Sequence, residues 1–371
     1  MQEADLPRLT ATVLWSAFAL SVLFGAIANR TRFCTMGAVA DIVHMGDWAR
    51  MRMWVLGMAV AIIGFNGMVA MGWVQAASSI YAGRQLLWMS TLVGGAMFGF
   101  GMVLGSGCGS RSLVRLGAGN LKSLVVLVVM GVTAFATLKG LTAVWRVRTV
   151  DAVVIELPTG QDLPSLLAAA LHWPVPQTAL VLGVLIASLM LAWVLRDAAG
   201  RSAEVLLGGL GVGAIIVALW WVSGRLGYLA EHPETLQEAF LATNSRRMES
   251  LSLASPVAYT LDWLLFYSDA SKVLTIGIVS VLGLPVGSAI VAKATGTFRW
   301  EGFGNVRDLG NHLVGASLMG VGGVTALGCT VGQGMSGIST LSLGSLLAVA
   351  AIVVGAIAGV RYQTWQIERE A

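Results

Sequence analysis

The amino-acid sequence predicts an all-α polytopic membrane protein. The 371-residue chain is 56% hydrophobic and only 11% charged, with a mean hydropathy of +0.79. So few charged residues cannot cover the surface of a water-soluble protein of this length. Apolar runs of membrane-spanning length recur along the chain, and two of them are related by an internal repeat. We therefore expect residues 1–371 to form a single transmembrane domain.

The predicted spans are apolar runs of about 17–25 residues, which is the length that a helix needs to cross a bilayer. Pairs of glycines four residues apart, such as Gly95 with Gly99 and Gly101 with Gly105, are typical of membrane helices that pack closely. We expect about nine transmembrane helices, together with short broken or re-entrant helices. The nine runs are 10–28, 51–73, 86–106, 121–139, 177–195, 205–222, 273–291, 311–327 and 343–360.

Basic residues in short connections predict the orientation of the spans. Because cytoplasmic loops carry an excess of arginine and lysine, we expect the connections near 29–52 and 107–122 to face the cytoplasm. With nine spans, the N-terminus then lies outside and the C-terminus inside. The long connections, roughly 140–176 and 223–272, lie outside. Within the second, a short apolar segment from Ser255 is predicted to be an interfacial or re-entrant helix.

Two segments about 220 residues apart form an internal repeat. Leu92–Cys108 and Leu313–Cys329 are identical at 8 of 17 positions without gaps, and both end in cysteine. They belong to the third and the eighth predicted spans, which are five steps apart, so the repeat is predicted to be inverted. The expected repeat halves are approximately 10–140 and 273–360, connected by 141–272. Inverted repeats in transporters place the substrate site at the repeat interface, and here that site would contain sulfur.

The residues around the cysteines predict interrupted helices at membrane depth. Glycine, serine and threonine follow Cys108 and Cys329, and the segment RTRFCTMG around Cys34 is similarly short and interrupted. Such backbone occurs inside a membrane protein only where it lines a cavity or is buried in protein, and its amides can face an anion. The candidate supporting residues, beside these three cysteines, are Gly107, Gly109, Ser110, Gly328, Thr330, Arg32 and Lys293. The arginine is equally consistent with a topology determinant, and the lysine with a side chain that extends to the interface.

Several classes of function are disfavoured. Three cysteines without a C-x-x-C pair and four histidines without helical pairing give no metal-ligand spacing. Nucleotide-binding and hydrolase motifs are missing from plausible contexts. The basic residues are not interleaved with aromatic residues as in nucleic-acid-binding proteins. We expect no metal, no cofactor and no nucleic acid, and the expected partners are membrane lipid and a small anion.

Four stretches resemble the YeeE/YedE family of bacterial inner-membrane proteins, whose members take up thiosulfate. They are RTRFCTMGAVAD with Cys34, GSGCGS with Cys108, GSAIVAKATGTFR with Lys293 and Arg299, and LGCTVGQG with Cys329. The resemblance extends from about Gly25 to near the C-terminus. It implies an hourglass shape, broken helices that meet at the centre, and the three cysteines as a relay that passes the anion inward. It also implies a small cytoplasmic sulfurtransferase as partner.

The sequence departs from the family at the residue before each Gly-Cys pair. Ser106 and Leu327 stand where many relatives have glycine, and related members are linked to other sulfur or selenium species. Uptake of thiosulfate or a similar sulfur anion is the first hypothesis, because neutral thiols are weak donors suited to shallow, successive sites. The alternative is a membrane thiol enzyme that accepts sulfane sulfur or is cycled by oxidation. An enzyme needs a base near its nucleophile, and His44 lies ten residues beyond Cys34.

Overall fold

The computed structural model describes residues 5–233 and 235–369, which are almost entirely helical. Within these residues the helices are α1 (Leu6–Arg30), α2 (Thr35–Met45), α3 (Ala49–Ala70), α4 (Trp88–Leu104), α5 (Gly109–Gly117), α6 (Leu121–Lys139), α7 (Leu141–Arg148), α8 (Leu163–Leu171), α9 (Val175–Leu195), α10 (Ala203–Trp221), α11 (Ala254–Leu265), α12 (Ile276–Ala294), α13 (Val306–Thr325) and α14 (Leu343–Glu368). The strands have two residues each: β1 (Gln85–Leu86), β2 (Ile155–Glu156), β3 (Tyr228–Leu229) and β4 (Ala239–Phe240). The predicted all-α class is confirmed.

Eight helical segments of the described chain are long and apolar enough to cross a membrane. They overlap eight of the nine predicted spans, and their bounds differ from the predicted ones by a few residues. The ninth, 311–327, is also helical, but α13 is less apolar than the others because Arg307, Asp308 and His312 lie in its first two turns. This helix packs against α4 and α6 inside the bundle. Protein neighbours can satisfy the polar turns that lipid would not.

Hydrogen bonds fix the relative direction of α1 and α12. The Ser21 hydroxyl donates to the Ser280 hydroxyl over 2.9 Å, and the Asn29 amide donates to the Ser288 hydroxyl over 2.7 Å. The partner advances by eight residues on each helix, so the two helices run parallel. In lipid, such contacts between buried polar side chains hold helices together where burial of apolar surface gives little driving force.

The two helices of the sequence repeat, α4 and α13, run antiparallel and in close contact. Gly94, near the start of α4, lies against Gly322 near the end of α13, whereas Gly101 lies against Gly315. Inverted repeats require opposite directions for equivalent helices. The symmetry of the complete halves, 10–140 and 273–360, stays a prediction.

Both repeat helices end inside the bundle. The residue after α4, Gly105, lies beside Gly315, which is about 13 Å along α13 from its start at 1.5 Å per residue. Similarly, α13 ends where Ala326 meets Gly94, six residues after α4 begins. The cysteines that follow the two helices therefore lie within the protein and not in surface loops.

The connections 71–87, 140–174 and 227–275 are joined on one side of the bundle, here called the capped face. Residues of β1 and β2 pair antiparallel, Ser79 pairs with Met248, and Asp162 pairs with Ser342 at the start of α14. The two long connections therefore share one face, as the orientation analysis expects. Part of the third connection is deeper than expected, because residues 248–253 are mostly buried and extended before α11 begins.

The short apolar segment from Ser255 forms α11, which packs on the bundle through one side. Ala258 is fully buried, and α11 contacts α6, α12 and α13. The rings of Trp263 and Tyr267 meet at the other end of the segment with centroids 5.3 Å apart, and Tyr267 is exposed. Its placement relative to the interface stays a prediction.

We predict that Gly99→Ala destabilises the bundle, whereas Gly67→Ala does not. A Cβ at Gly99 would overlap the carbonyl oxygen of Ile352 and lie 2.9 Å from the amide nitrogen of Ala356, so α4 and α14 must separate. A Cβ at Gly67, within α3, meets no atom within 4 Å. The expected cost at Gly99 is about 1–3 kcal/mol, as for other overpacked interiors. Thermal unfolding of both variants in detergent checks this, and equal melting temperatures would contradict it.

Candidate functional site

Each of the three cysteines follows the same backbone turn. A residue in the left-handed conformation stands two positions before the cysteine in every case, and none of these residues is glycine. The residues are Arg32, Ser106 and Leu327, with φ of 52°, 55° and 58°. Left-handed non-glycine residues are uncommon, so three of them in equivalent positions identify one repeated structural motif.

The turn ends the preceding helix with a recurring hydrogen-bond pattern. In each copy, the amide of the residue before the cysteine donates to the carbonyl oxygen five residues earlier, which is the pattern of a Schellman helix end. These bonds satisfy carbonyl groups that would otherwise be orphaned inside the bundle. They join Phe33 to Ala28 over 3.2 Å, Gly107 to Met102 over 2.8 Å, and Gly328 to Gly323 over 2.8 Å.

Each thiol then lies at the start of the next helical segment, facing its first amides. The Cys34 sulfur accepts from the Gly37 amide at 3.3 Å, and Cys34 caps α2. The Cys329 sulfur accepts from the Gly332 amide at 3.4 Å, where a π-helical turn begins. The amino ends of helices carry partial positive charge and attract anions. The fold therefore places sulfur where a negative group is favoured.

Cys108 repeats this arrangement at the start of α5. Its sulfur is 3.2 Å from the Ser110 hydroxyl and faces the backbone amide of Arg111, three residues on. The residue is fully buried. Of the predicted supporting residues, Ser110 thus contacts a thiol directly.

The three breaks come together in the interior. The thiols of Cys34 and Cys108 are close enough to interact with each other. The Thr330 side chain lies next to Cys108, and Cys329 is close enough for its charge to interact with that of Cys108. The Thr330 hydroxyl is buried and has no well-formed hydrogen bond within the described structure. The site therefore combines three thiols with one uncommitted hydroxyl.

A basic cavity of about 870 Å³ lies on the side opposite the capped face, here called the basic face. Its lining includes five arginines and two glutamates: Arg30, Arg32, Arg111, Arg115, Arg299, Glu204 and Glu301. In the part of the chain that the structure describes, the first four of these arginines form no ion pair. The cavity therefore has uncompensated positive charge.

The two acidic residues do not cancel that charge. A hydrogen bond from the Asn120 amide and the nearby Arg299 guanidinium hold the pKa of Glu301 below its ordinary value, so this carboxylate is ionised and already engaged. Glu204 lies in the first turn of α10, where a negative side chain interacts favourably with the helix dipole. Four arginines thus remain to attract an anion.

Two arginines of the cavity lining reach the surroundings of Cys34 and Cys108, although neither cysteine belongs to the lining itself. The Arg115 guanidinium donates to the Ser106 carbonyl oxygen over 3.0 Å, within the turn before Cys108. The Arg111 side chain packs beside Gly107 and its charge interacts with Cys34. These arginines therefore line the cavity and also adjoin the segments that carry the two thiols.

The path from Cys329 towards the capped face is nearly closed. The Gln333 amide donates to the Ala326 carbonyl oxygen over 2.6 Å and accepts from the Ser345 hydroxyl over 2.6 Å. These bonds cross the break after Cys329. The hollow beyond them has only about 10 Å³. The structure is thus open on the basic face and tight on the capped face.

Two functional candidates on this side, Tyr81 and Ser252, are not predicted from the sequence. The buried Tyr81 hydroxyl has no well-formed hydrogen bond within the described structure, and it lies with Ser252 beside Gly332. The backbone amide of Leu253 faces the Cys329 sulfur. Tyr81 lies in a short connection, and Ser252 lies in a connection without a recognisable sequence motif, so only their long-range contacts identify them as candidates. In the sequence, the one indication was the presence of a tyrosine between two predicted spans.

Glu249 is a buried carboxyl on the same extended segment. Its Oε1 accepts from the Asn244 amide over 2.9 Å and lies 3.4 Å from the Ser245 hydroxyl. Burial raises the pKa of this carboxyl and the hydrogen bonds lower it. Burial has the larger effect, so the pKa is raised to about 7. No ion pair between described residues includes Glu249.

The predicted supporting residues differ in their placement. Arg32 lines the basic cavity, Gly107 and Gly328 lie in the turns, Gly109 begins α5, and Thr330 lies at Cys108. Lys293 is not in the cavity lining. It is exposed near the end of α12, with its ammonium 5.7 Å from the centre of the Phe298 ring. The interpretation of Lys293 as an interfacial side chain agrees better with this position than a role beside the thiols.

Comparison with known proteins gives consistent matches along the chain. The sequence profile described as sulphur transport matches residues 30–358. A thiosulfate transporter from Escherichia coli (strain K12), TsuA, is 26% identical over 335 residues, covering 87% of each chain. A thiosulfate transporter TsuA from Spirochaeta thermophila is 24% identical over 353 residues, covering 92% of this chain and 97% of its own.

We predict that Glu249 makes folding stability depend on pH. Its pKa in the folded state is raised above the ordinary value, so its contribution is present at acidic pH and lost as the pH rises through about 7. Relative to Glu249→Gln, the wild type should lose about 2–3 kcal/mol between pH 5 and pH 8. Thermal unfolding of both proteins across this range measures the difference. Parallel stability profiles for the two proteins would refute the prediction.

Proposed function

This chain belongs to the sulphur transport family, and on that premise we propose that it takes up thiosulfate or a closely related sulfur anion across a bacterial inner membrane. Family membership, expected from four sequence stretches, is confirmed over residues 30–358. The family and the curated relatives are described as transporters, so the assignment as a transporter and not an enzyme is also confirmed. The multi-pass membrane character agrees with the eight apolar helical segments.

The observation that carries the proposal is the convergence of three buried thiols near a basic cavity. Arg111 and Arg115 of the cavity lining adjoin the segments of Cys34 and Cys108, whereas the backbone amide of Leu253, from the capped side, faces the Cys329 sulfur. Guanidinium groups attract a dianion but would hold it strongly, whereas neutral thiols and helix amides hold it weakly. Conduction needs binding that permits both entry and exit. A relay through Cys34, Cys108 and Cys329 supplies successive shallow sites.

Uptake of a dianion into a negatively charged cell requires work. Moving two elementary charges through 100 mV costs about 4.6 kcal/mol, at about 2.3 kcal/mol for each charge. The excess of arginines on the basic face lowers the electrostatic energy of the dianion while it is in the cavity. By the distribution of basic residues, we assign the basic face to the cytoplasm, the N-terminus to the outside and the C-terminus to the inside. A small cytoplasmic sulfurtransferase at the basic face would consume the delivered anion.

We predict that Cys108→Ala and Cys329→Ala each lower thiosulfate uptake at least tenfold. Each substitution removes the only thiol of one break, whereas the small alanine side chain largely preserves the packing at that position. The measurement is uptake of labelled thiosulfate into proteoliposomes that contain only this chain, normalised to the amount of folded protein. Serine should restore little uptake, since a hydroxyl is harder and more strongly hydrated than a thiol.

A matched control is Ser317→Ala, on the helix that leads to Cys329. Among the described residues, the Ser317 hydroxyl bonds only to the Leu313 carbonyl oxygen within α13, over 2.9 Å. Its removal should leave uptake unchanged. Uptake at the wild-type rate by both cysteine variants would refute the relay, whereas lack of uptake by the wild type would refute the transport proposal itself.

The orientation is tested by labelling single cysteines in a variant that lacks the native three. We expect a membrane-impermeant thiol reagent added to intact cells to label Leu171→Cys, on the capped face, and not Arg299→Cys, on the basic face. Both positions are exposed, at 54% for Leu171 and 79% for the Arg299 side chain. The reverse labelling pattern would reverse the orientation and the direction of the relay.

A further inference from the structure

Residues 248–253 form an extended, mostly buried segment that leads from the capped face to the thiols. Met248 pairs with Ser79 in a surface connection, and the Leu251 carbonyl oxygen accepts from the Ser336 hydroxyl over 2.7 Å. At its end, the Leu253 amide faces the Cys329 sulfur. Non-helical backbone at this depth is tolerated where it is packed in protein or lines a pathway. Glu249 lies near the outer end of this segment.

The surroundings of Glu249 are unusual for a structural carboxylate. The side chain is only 8% exposed, and its hydrogen-bond donors are the neutral Asn244 amide and the Ser245 hydroxyl. The backbone amide of Glu249 itself donates to the Ser223 hydroxyl over 3.0 Å, so the chain is fixed at this point. A buried carboxylate without a cation is costly unless it can bind a proton.

The titratable groups that face Glu249 are two tyrosines, Tyr81 and Tyr259. The sequence neighbours Arg246 and Arg247 are exposed. The Tyr81 hydroxyl is near enough to both Glu249 and Cys329 for the charges to interact. As this hydroxyl has no well-formed hydrogen bond, it is an uncommitted donor that an anion near Cys329 can use.

We propose that Glu249 is a proton-binding site coupled to the anion: it takes up one proton when the anion binds at Tyr81 and Cys329. This inference rests on the proposed function. A dianion at the Tyr81 hydroxyl repels an ionised Glu249 carboxylate, so anion binding favours the protonated carboxyl. The proton comes from solvent at the capped face and adds to a carboxylate oxygen, while thiosulfate stays a dianion. Coupling between two binding events is reciprocal, so acid also tightens anion binding.

The raised pKa of Glu249, about 7, supports this role because it allows proton exchange near neutral pH. Counting the ionised carboxylate, the proton lowers the negative charge of the occupied site from three to two, so anion binding adds one net negative charge instead of two. Proton coupling therefore reduces the electrostatic cost of placing a dianion in this site.

The test is isothermal titration calorimetry of thiosulfate binding to the full chain in detergent, in two buffers of different ionisation enthalpy. For a site with a pKa of about 7 that must be protonated in the complex, we expect uptake of about 0.9 proton per anion at pH 8 and about 0.1 at pH 6. The dissociation constant should be about tenfold weaker at pH 8 than at pH 6. Below pH 8 most ordinary thiols remain protonated, so they contribute little.

Glu249→Gln should bind thiosulfate with the same affinity at both pH values and take up no proton. Glu238→Gln, an exposed carboxyl in the same connection, should behave like the wild type. Binding by the wild type without proton uptake at pH 8 overturns this inference alone, and this measurement decides the question even if Glu249→Gln does not fold. Proton uptake that persists in a folded Glu249→Gln variant also overturns it. A wild type that binds no thiosulfate overturns the proposed function as well.

Discussion

The structure depends on one constraint, which is that a helix ending inside a membrane protein must satisfy its free backbone groups. Two helices of the described chain, α4 and α13, end in the interior, and both use a left-handed residue and a Schellman hydrogen bond, as α1 also does. A cysteine follows two positions after each left-handed residue, and the sulfurs of Cys34 and Cys329 accept a backbone amide of the following segment. The group that caps the new helix is therefore also the group offered to the anion. Structure and proposed function use the same atoms.

Close helix packing allows helices to end in the interior without exposing their free backbone groups to lipid. Glycines let α4 approach α13 and α14 almost backbone to backbone, so the ends of α4 and α13 are enclosed by protein and not by lipid. Polar side chains complete the enclosure: Gln333 bonds across the break after Cys329, and Arg115 reaches the turn before Cys108. The result is a basic cavity whose arginines adjoin the segments that carry Cys34 and Cys108.

The two faces of the bundle differ in charge and closure. The basic face has four arginines without ion pairs among the described residues and an open cavity, whereas on the capped face three paired connections leave almost no space. Glu249 lies on the closed side, next to the extended segment that reaches Cys329. Positive charge thus attracts an anion at one end of the thiols, and a titratable carboxyl lies at the other.

The sequence by itself determined the fold class and the approximate position of every long helix, and it identified the cysteines as candidate site residues. Hydropathy and helix length are local properties, and the repeat that ends in Cys108 and Cys329 is visible in the residues themselves. Direct sequence similarity also identified the family. The polar start of α13, which distinguishes this helix from the eight apolar segments, is also visible in the sequence as Arg307, Asp308 and His312.

Only the tertiary structure decided what surrounds the thiols. The left-handed turns at Ser106 and Leu327 carry no glycine signal, so their likeness to the turn at Arg32 appears only in the backbone. Tyr81 and Glu249 approach the pathway from separate connections, since pairing between Ser79 and Met248 brings those connections together. Lys293, in contrast, belongs to a stretch that resembles the family but is not part of the cavity lining. Contacts between distant segments depend on how the helices pack, and no local pattern in the sequence specifies that packing.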